Sequence, residues 1–306
     1  LPEFKEIRKK NPNFIELCLN HKLSSEITLQ PIKRFDLDAA IIFSDILMLP
    51  YGLNQKVDFK KNFGPVLGNL DIGTMSKIDE IDFVEKIYPI YKAIKSVSSK
   101  MTSMNKNTIG FVGAPWTLLV YMINQQSPKK NVKKDFFKDD FLINRILLII
   151  EKFLKIHIKN QIENGANIIQ IFDSWAGLLE ERDYPNYIYT PTLNLVDYVK
   201  SLNVPVICFP REIRNYKEFC EIVKPDAINI DYSVDPLMIS KNIKIPVQGG
   251  LDPKILLTDK ENLKKEILKY LDIFKDHPYI FNLGHGILPE TNPDMVEFLI
   301  KTVKDH

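Results

Sequence analysis

NIIQIFDSWAG, residues 167 to 177, changes character halfway along its length. A short, mostly apolar run of β-branched and aromatic residues gives way abruptly to Asp173, Ser174 and Trp175. A run of this length with little polar alternation reads as a strand buried on both faces, and the polar residues at its end fall where the chain leaves the sheet.

The same pattern recurs on either side. Counting NIIQIF (167 to 172), seven such runs are visible, the others being DAAIIF (38 to 43), TIGFV (108 to 112), VPVICF (204 to 209), AINI (227 to 230), IPVQ (245 to 248) and YIFNL (279 to 283). Between them lie segments with apolar residues three and four apart, as in FVEKIYPIYKAIKSV (83 to 97), FLINRILLIIEKFLKIHIKNQI (141 to 162) and ENLKKEILKYLDIF (261 to 274). Strand and helix therefore alternate, which predicts a parallel sheet crossed by helices. A doubly wound open sheet and a closed barrel both satisfy that alternation. The count of seven, in a chain that opens at LPEF without an initiating methionine, favours one (β/α)8 TIM-type barrel over residues 1–306 with its first strand upstream of Leu1. Neither GAP (113 to 115) nor GGLDP (249 to 253) fits a dinucleotide or nucleotide phosphate loop. Residues 49 to 79, punctuated by Gly and Asn, read as an inserted hairpin over the sheet ends.

Composition excludes several classes. With 45% hydrophobic residues the chain builds a large core, and a net charge of +2 from 41 basic and 39 acidic residues gives no global attraction to nucleic acid or membrane. The longest apolar run, ILLII at 146 to 150, is far short of the ~20 residues a membrane span needs. There is no secretory signal, and three widely spaced cysteines, Cys18, Cys208 and Cys220, fit a reducing cytoplasm and carry no metal-binding spacing.

In a parallel barrel the loops after the strands build the site. Those positions hold Ser44 and Asp45; Gly113 to Trp116; Asp173 to Trp175; Pro210 and Arg211; Asp231 and Tyr232; Gly249 and Gly250; and Gly284 to Gly286. Each has a plain reading beside a functional one. Asp45, in the otherwise apolar AIIFSDILMLP (40 to 50), is either a cap for the segment after it or a functional carboxylate, since an unpaired charge there is costly. Tyr121, six residues after Pro115, falls about a turn and a half into a helix, where it either packs or offers its hydroxyl. Asp173 and Ser174 could start the next helix, and Asp231 could be a turn residue. His285, between two glycines, is a turn residue or a ring lifted off the sheet. His21, His157, His277 and His306 sit among charged or terminal residues and read as surface.

Taken together, SEITLQPIKRFDLDAAIIFSDIL (25 to 47), GFVGAPWTLLVYM (110 to 122), QIFDSWAG (170 to 177), GGLDP (249 to 253) and NLGHGILPETNP (282 to 293) resemble the uroporphyrinogen decarboxylase family. The resemblance implies a homodimeric (β/α)8 lyase of haem biosynthesis that needs no cofactor or metal. Its reaction removes CO2 from the four acetate side chains of uroporphyrinogen III to give coproporphyrinogen III. Residue by residue it implies Asp45 as the essential aspartate, catalytic and substrate-binding, with Tyr121, Ser174 and His285 as further substrate-binding residues. It also implies that a stretch from Ile46 to Leu49 walls the macrocycle. The family's RQAGR-type arginine segment, just before the LPEF position, is not in this sequence, and Arg8 is left as a lesser carboxylate ligand. QGGLDP has Gly250 where the family commonly shows Asn, FPREIRN (209 to 215) lacks the usual glycine, and the loop at 123 to 136 lacks glycines common there. A methyltransferase relative on the same barrel and a non-catalytic tetrapyrrole-binding protein are the alternatives; the first requires a zinc cluster of cysteine and histidine that is missing here.

Overall fold

The computed structural model describes residues 1–61, 63–128 and 139–306. All seven apolar runs form strands of one parallel sheet, with β1 (Ala39–Ile41), β4 (Asn107–Gly113), β5 (Ile168–Asp173), β6 (Val206–Pro210), β7 (Ala227–Ile230), β8 (Val247–Gly249) and β9 (Tyr279–Ile280) side by side in chain order. Strands β5 to β8 are almost wholly buried, as continuous apolar runs require when helices cover a sheet. The inserted hairpin is β2 (Val57–Lys60) and β3 (Gly64–Leu67), paired antiparallel from Val57↔Leu67 to Lys60↔Gly64. It is held to the end of the helix Pro115–Asn124 by Leu67 N–H to the Gln125 carbonyl (2.7 Å) and Gln55 Nε2 to the Met122 carbonyl (2.9 Å). Residues 129–136 of the glycine-poor loop lie outside the described residues.

The expectation of a closed eight-stranded barrel is met only in part. The sheet curls, but β1 and β9 are its two edges and do not pair with one another among the described residues. Both edges instead line a cavity of about 590 Å³, with Ile109, Ile168 and Ile207 among its wall residues. These residues and Ala39, Asn107 and Tyr279 lie toward the strand starts, while Leu283 and Ile287, beyond β9, complete the lining. The C-terminal helix Pro293–Lys304 lies along it through Leu299 and Val303.

The predicted helices are present as Glu80–Ser103, Asp140–Glu163 and Lys260–Ile273. The first two begin at aspartate caps, Asp79 on Ile81 N–H and Asp139 on Leu142 N–H. One expectation on these helices is wrong. His157 is buried between two of them, its Nδ1 3.0 Å from the Tyr91 hydroxyl. Its neighbours Lys155 and Lys159 point elsewhere, whereas position 157 continues the buried row of Ile150, Phe153 and Leu154. Burial disfavours the imidazolium and pulls the His157 pKa down to about 3.

Candidate active site

The strand ends bring the predicted residues to one end of the sheet. Beyond β1 the chain stays extended through Ile42, whose N–H reaches the Ile109 carbonyl (3.1 Å), then turns where Phe43 N–H meets Thr28 Oγ1 (2.8 Å). Asp45 follows, half-buried, with Oδ1 accepting from Leu47 N–H at 2.8 Å. That bond closes a turn and is not a helix cap, because the next helix, Met48–Gly52, starts later and has no side-chain cap. Desolvation by the apolar surroundings pushes the Asp45 carboxyl up to about 6, against the smaller opposing pull of the Leu47 N–H. The expected wall contracts here: Leu47, Met48 and Leu49 are fully buried core, and only Ile46 keeps accessible surface.

Tyr121 lies on the helix Pro115–Asn124, which opens with proline at its first position as anticipated. Its ring packs edge-on against Trp175 at 5.9 Å between centroids. Burial raises the Tyr121 pKa; the Asp45 charge raises it further, while the Trp175 indole, Ser127 and the Arg211 charge act the other way. Tyr121 thus lies within the fields of both Asp45 and Arg211. Ser174 follows β5 as a half-buried turn residue. His285 is exposed on the rim; partial desolvation, then the Arg211 charge, lower its pKa. The glycine before it is required for close approach and not for an unusual φ, since a Cβ at Gly284 would lie 2.4 Å from the Tyr232 backbone nitrogen. Arg8 is engaged locally, with Nη1 donating to the Asn11 (2.7 Å) and Pro12 (3.1 Å) carbonyls and the guanidinium 5.3 Å from the Phe14 ring.

Two carboxylates had plain sequence readings that the structure enlarges. Asp173 does not start a helix: it is buried, its Oδ1 accepts from Thr117 Oγ1 at 2.6 Å, and Trp175 N–H donates to the same hydroxyl at 3.1 Å. It ties β5 to the first turn of the helix bearing Tyr121, and desolvation pushes its carboxyl up to about 7. Asp231 is a turn residue as expected, accepting from Ser233 N–H (2.8 Å) and the Ser233 hydroxyl, but it also accepts from Tyr216 Oη (2.8 Å) and Glu212 N–H (2.8 Å). Those donors outweigh burial and hold it below the usual carboxylate range. Their positions at strand ends were visible in the sequence; their burial and their partners, 56 and 19 residues away, were not.

No group of three or more His, Cys, Asp or Glu side chains among the described residues could hold a metal ion. Cys18, Cys208 and Cys220 are free thiols, and among the described residues no helix is long and apolar enough to cross a membrane.

The model of a family described as uroporphyrinogen decarboxylase matches residues 1–306. A uroporphyrinogen decarboxylase of Rickettsia bellii is 42% identical over 322 residues, spanning 100% of this chain and 92% of that protein. Another, of Rickettsia felis, is 39% identical over 311 residues, spanning 99% and 89%. Among solved structures, a methyltransferase from Methanosarcina mazei superposes with a TM-score of 0.79 at 16% identity over 98% of this chain and 90% of that one. A B12-independent methionine synthase from Shewanella sp. W3-18-1 gives 0.60 at 11% identity over 93% and 85%. At these identities the two solved structures speak for the curled α/β fold alone.

Proposed function

The chain belongs to the uroporphyrinogen decarboxylase family, and from that premise we propose how its mouth carries out the reaction. Its activity is the decarboxylation of uroporphyrinogen in porphyrin biosynthesis. In our reading the substrate is the III isomer and each of its four acetates leaves as CO2, giving coproporphyrinogen III. A proton added to the ring α-carbon next to the carbon that bears the acetate makes the ring a cationic electron sink, conjugated with the carbon that carries the acetate. The carboxylate–carbon bond then breaks into that sink, and a second proton converts the remaining methylene to methyl as the ring loses the first. The intermediate is a cation, so the group that lowers its energy must be an anion held ready in a water-poor site.

Asp45 is that anion. The observation that carries the reading is its carboxyl, placed in apolar surroundings with one backbone N–H on Oδ1 and a pKa raised to about 6. Pyrrole N–H donors of a bound tetrapyrrole supply the bonds the protein does not. At ~1.5 to 3 kcal/mol for each charge-assisted bond, two or three offset a desolvation cost of several kcal/mol. Tyr121 orients a reacting acetate, and Ser174 and His285 receive peripheral carboxylates.

The wider reading is one domain closed as a (β/α)8 barrel by an eighth strand between β9 and β1, working as a cytoplasmic homodimer. Supporting it are the facing edges of the sheet, the three free thiols, and the exposed Phe141 and Leu148. Incubation of the protein with uroporphyrinogen, followed by chromatography of the oxidised porphyrins, tests the reaction. The eight-carboxyl species should fall to four, and Asp45→Asn should slow this by about 10²-fold or more while still folding. An Asn variant as fast as the parent would remove Asp45 from the mechanism.

A further inference from the structure

Arg211 is the cation whose field reaches both Tyr121 and His285. It stands directly after β6, its backbone N–H on the Asp173 carbonyl at 3.0 Å, and its side chain is mostly covered. One guanidinium nitrogen, Nη2, is 2.6 Å from Glu212 Oε1, while Nε is buried with no hydrogen-bond partner among the described residues. A buried N–H of a guanidinium left unsatisfied is uncommon, and it implies a ligand that completes the planar fork.

The turn that presents Arg211 is fixed by groups with no other evident task. Glu212 has φ 60, a left-handed conformation that a residue with a side chain rarely adopts, and its N–H is anchored on Asp231 Oδ2 at 2.8 Å. Gly177 leaves the room for it, since a Cβ there would lie 2.6 Å from that of Glu212. Asp231 is in turn braced by Tyr216 and Ser233. The ion pair itself is loosely held: Glu212 is 51% exposed, and a pair so open to water contributes little.

Resting on the reading of the mouth as a tetrapyrrole site, we propose that Arg211 is a substrate-binding residue whose guanidinium takes a peripheral carboxylate of uroporphyrinogen, with Glu212 as the resting counter-ion that the substrate displaces. Asp45, Glu212 and Asp231 are all acidic, and a substrate with eight carboxylates needs a cation among them. A planar fork suits a carboxylate better than a point charge does.

The test compares Arg211→Gln, Glu212→Gln and the charge-conserving Arg211→Lys in steady-state turnover of uroporphyrinogen, and in equilibrium titration with coproporphyrinogen. Arg211→Gln should raise KM about tenfold with a much smaller fall in kcat, and Arg211→Lys should recover part of that loss. Glu212→Gln, by removing the competitor, should lower KM. A pair that only braces the fold would move both variants the same way, so a KM raised alike by Arg211→Gln and Glu212→Gln overturns the proposal. A KM within twofold of the parent in Arg211→Gln overturns it too. Weakened coproporphyrinogen binding in Arg211→Gln assigns a propionate to Arg211, and an effect confined to uroporphyrinogen assigns an acetate. Failure of the parent protein to form coproporphyrinogen defeats the functional reading instead; equilibrium titration with uroporphyrinogen, then not consumed, judges Arg211 alone by the opposite signs of the two Gln variants.

Discussion

Asp45 and Asp173 are carboxylates that the folded protein holds at some expense. Both have pKa values raised by burial, to about 6 and about 7. A folded-state pKa above the unfolded value means that the folded protein binds the proton more tightly. Their contribution is therefore most favourable in acid and is lost as pH rises through those values. For Asp45, a carboxyl raised to about 6 corresponds to roughly 3 kcal/mol as an upper figure. Asp45→Asn removes the ionisable group, so at pH 7.5 it should be more stable than the parent by about 1 to 3 kcal/mol, with the gap closing near pH 4. Urea unfolding at the two pH values measures this. A variant less stable at neutral pH would mean that the carboxylate has a partner in the protein. The charge proposed to serve the reaction is thus one that stability alone would not select. Gly284→Ala makes a second prediction at this scale. With a Cβ 2.4 Å from the Tyr232 nitrogen, the β7 and β9 turns must separate and carry His285 with them. The expected result is a KM raised several-fold in the turnover assay.

At the scale of elements, what the sequence revealed was whatever depends on neighbours along the chain. Each strand is one short apolar run and each helix one stripe, and Tyr121 follows from Pro115 as the helix start. Pairings across the sequence were hidden: Asp173 with Thr117, Asp231 with Glu212, and the turn that aims Arg211. His157 lies between these cases. Its lysine neighbours argued for water, but its spacing of three and seven residues from Leu154 and Ile150 put it on the buried row, and spacing prevails because a helix face is set by geometry. Tyr91 and His157 join the two longest helices by one buried hydrogen bond. Tyr91→Phe should leave Nδ1 without a partner and lower stability by about 1 to 2 kcal/mol. The His157 pKa, held near 3 in the folded state, lies below the unfolded value. Stability from this residue is present at neutral pH and lost as pH falls from about 6.5 toward 3. An acid-unfolding midpoint unmoved by His157→Gln would contradict that.

At the scale of the whole molecule, β1 and β9 do not pair with one another among the described residues, and the C-terminal helix packs beside both. The helix is held there in two ways. Lys304 Nζ lies 2.6 Å from Asp36 Oδ2 and 3.5 Å from Asp38 Oδ1, and Lys106 reaches the other Asp36 oxygen at 2.7 Å. Leu299 packs against both the main core and the small cluster of Leu256, Leu263 and Ile267. The ions have the shorter contacts but are open to water, Asp36 being 69% exposed, and exposed pairs contribute about 0 to 1 kcal/mol, less in salt. Removing three methyl or methylene groups from a leucine packed against two clusters costs about 2 kcal/mol or more. Apolar packing should therefore outweigh the ion network in holding the helix. Lys304→Ala should change unfolding free energy little, with any change vanishing in molar salt, while Leu299→Ala should cost about 2 kcal/mol or more at any salt. Hydrogen exchange at Ala39–Ile41 and Tyr279–Ile280 should quicken with the leucine variant and scarcely with the lysine one. The reverse order would make the Asp36 network, not the leucine, the stronger link between the C-terminal helix and these strands.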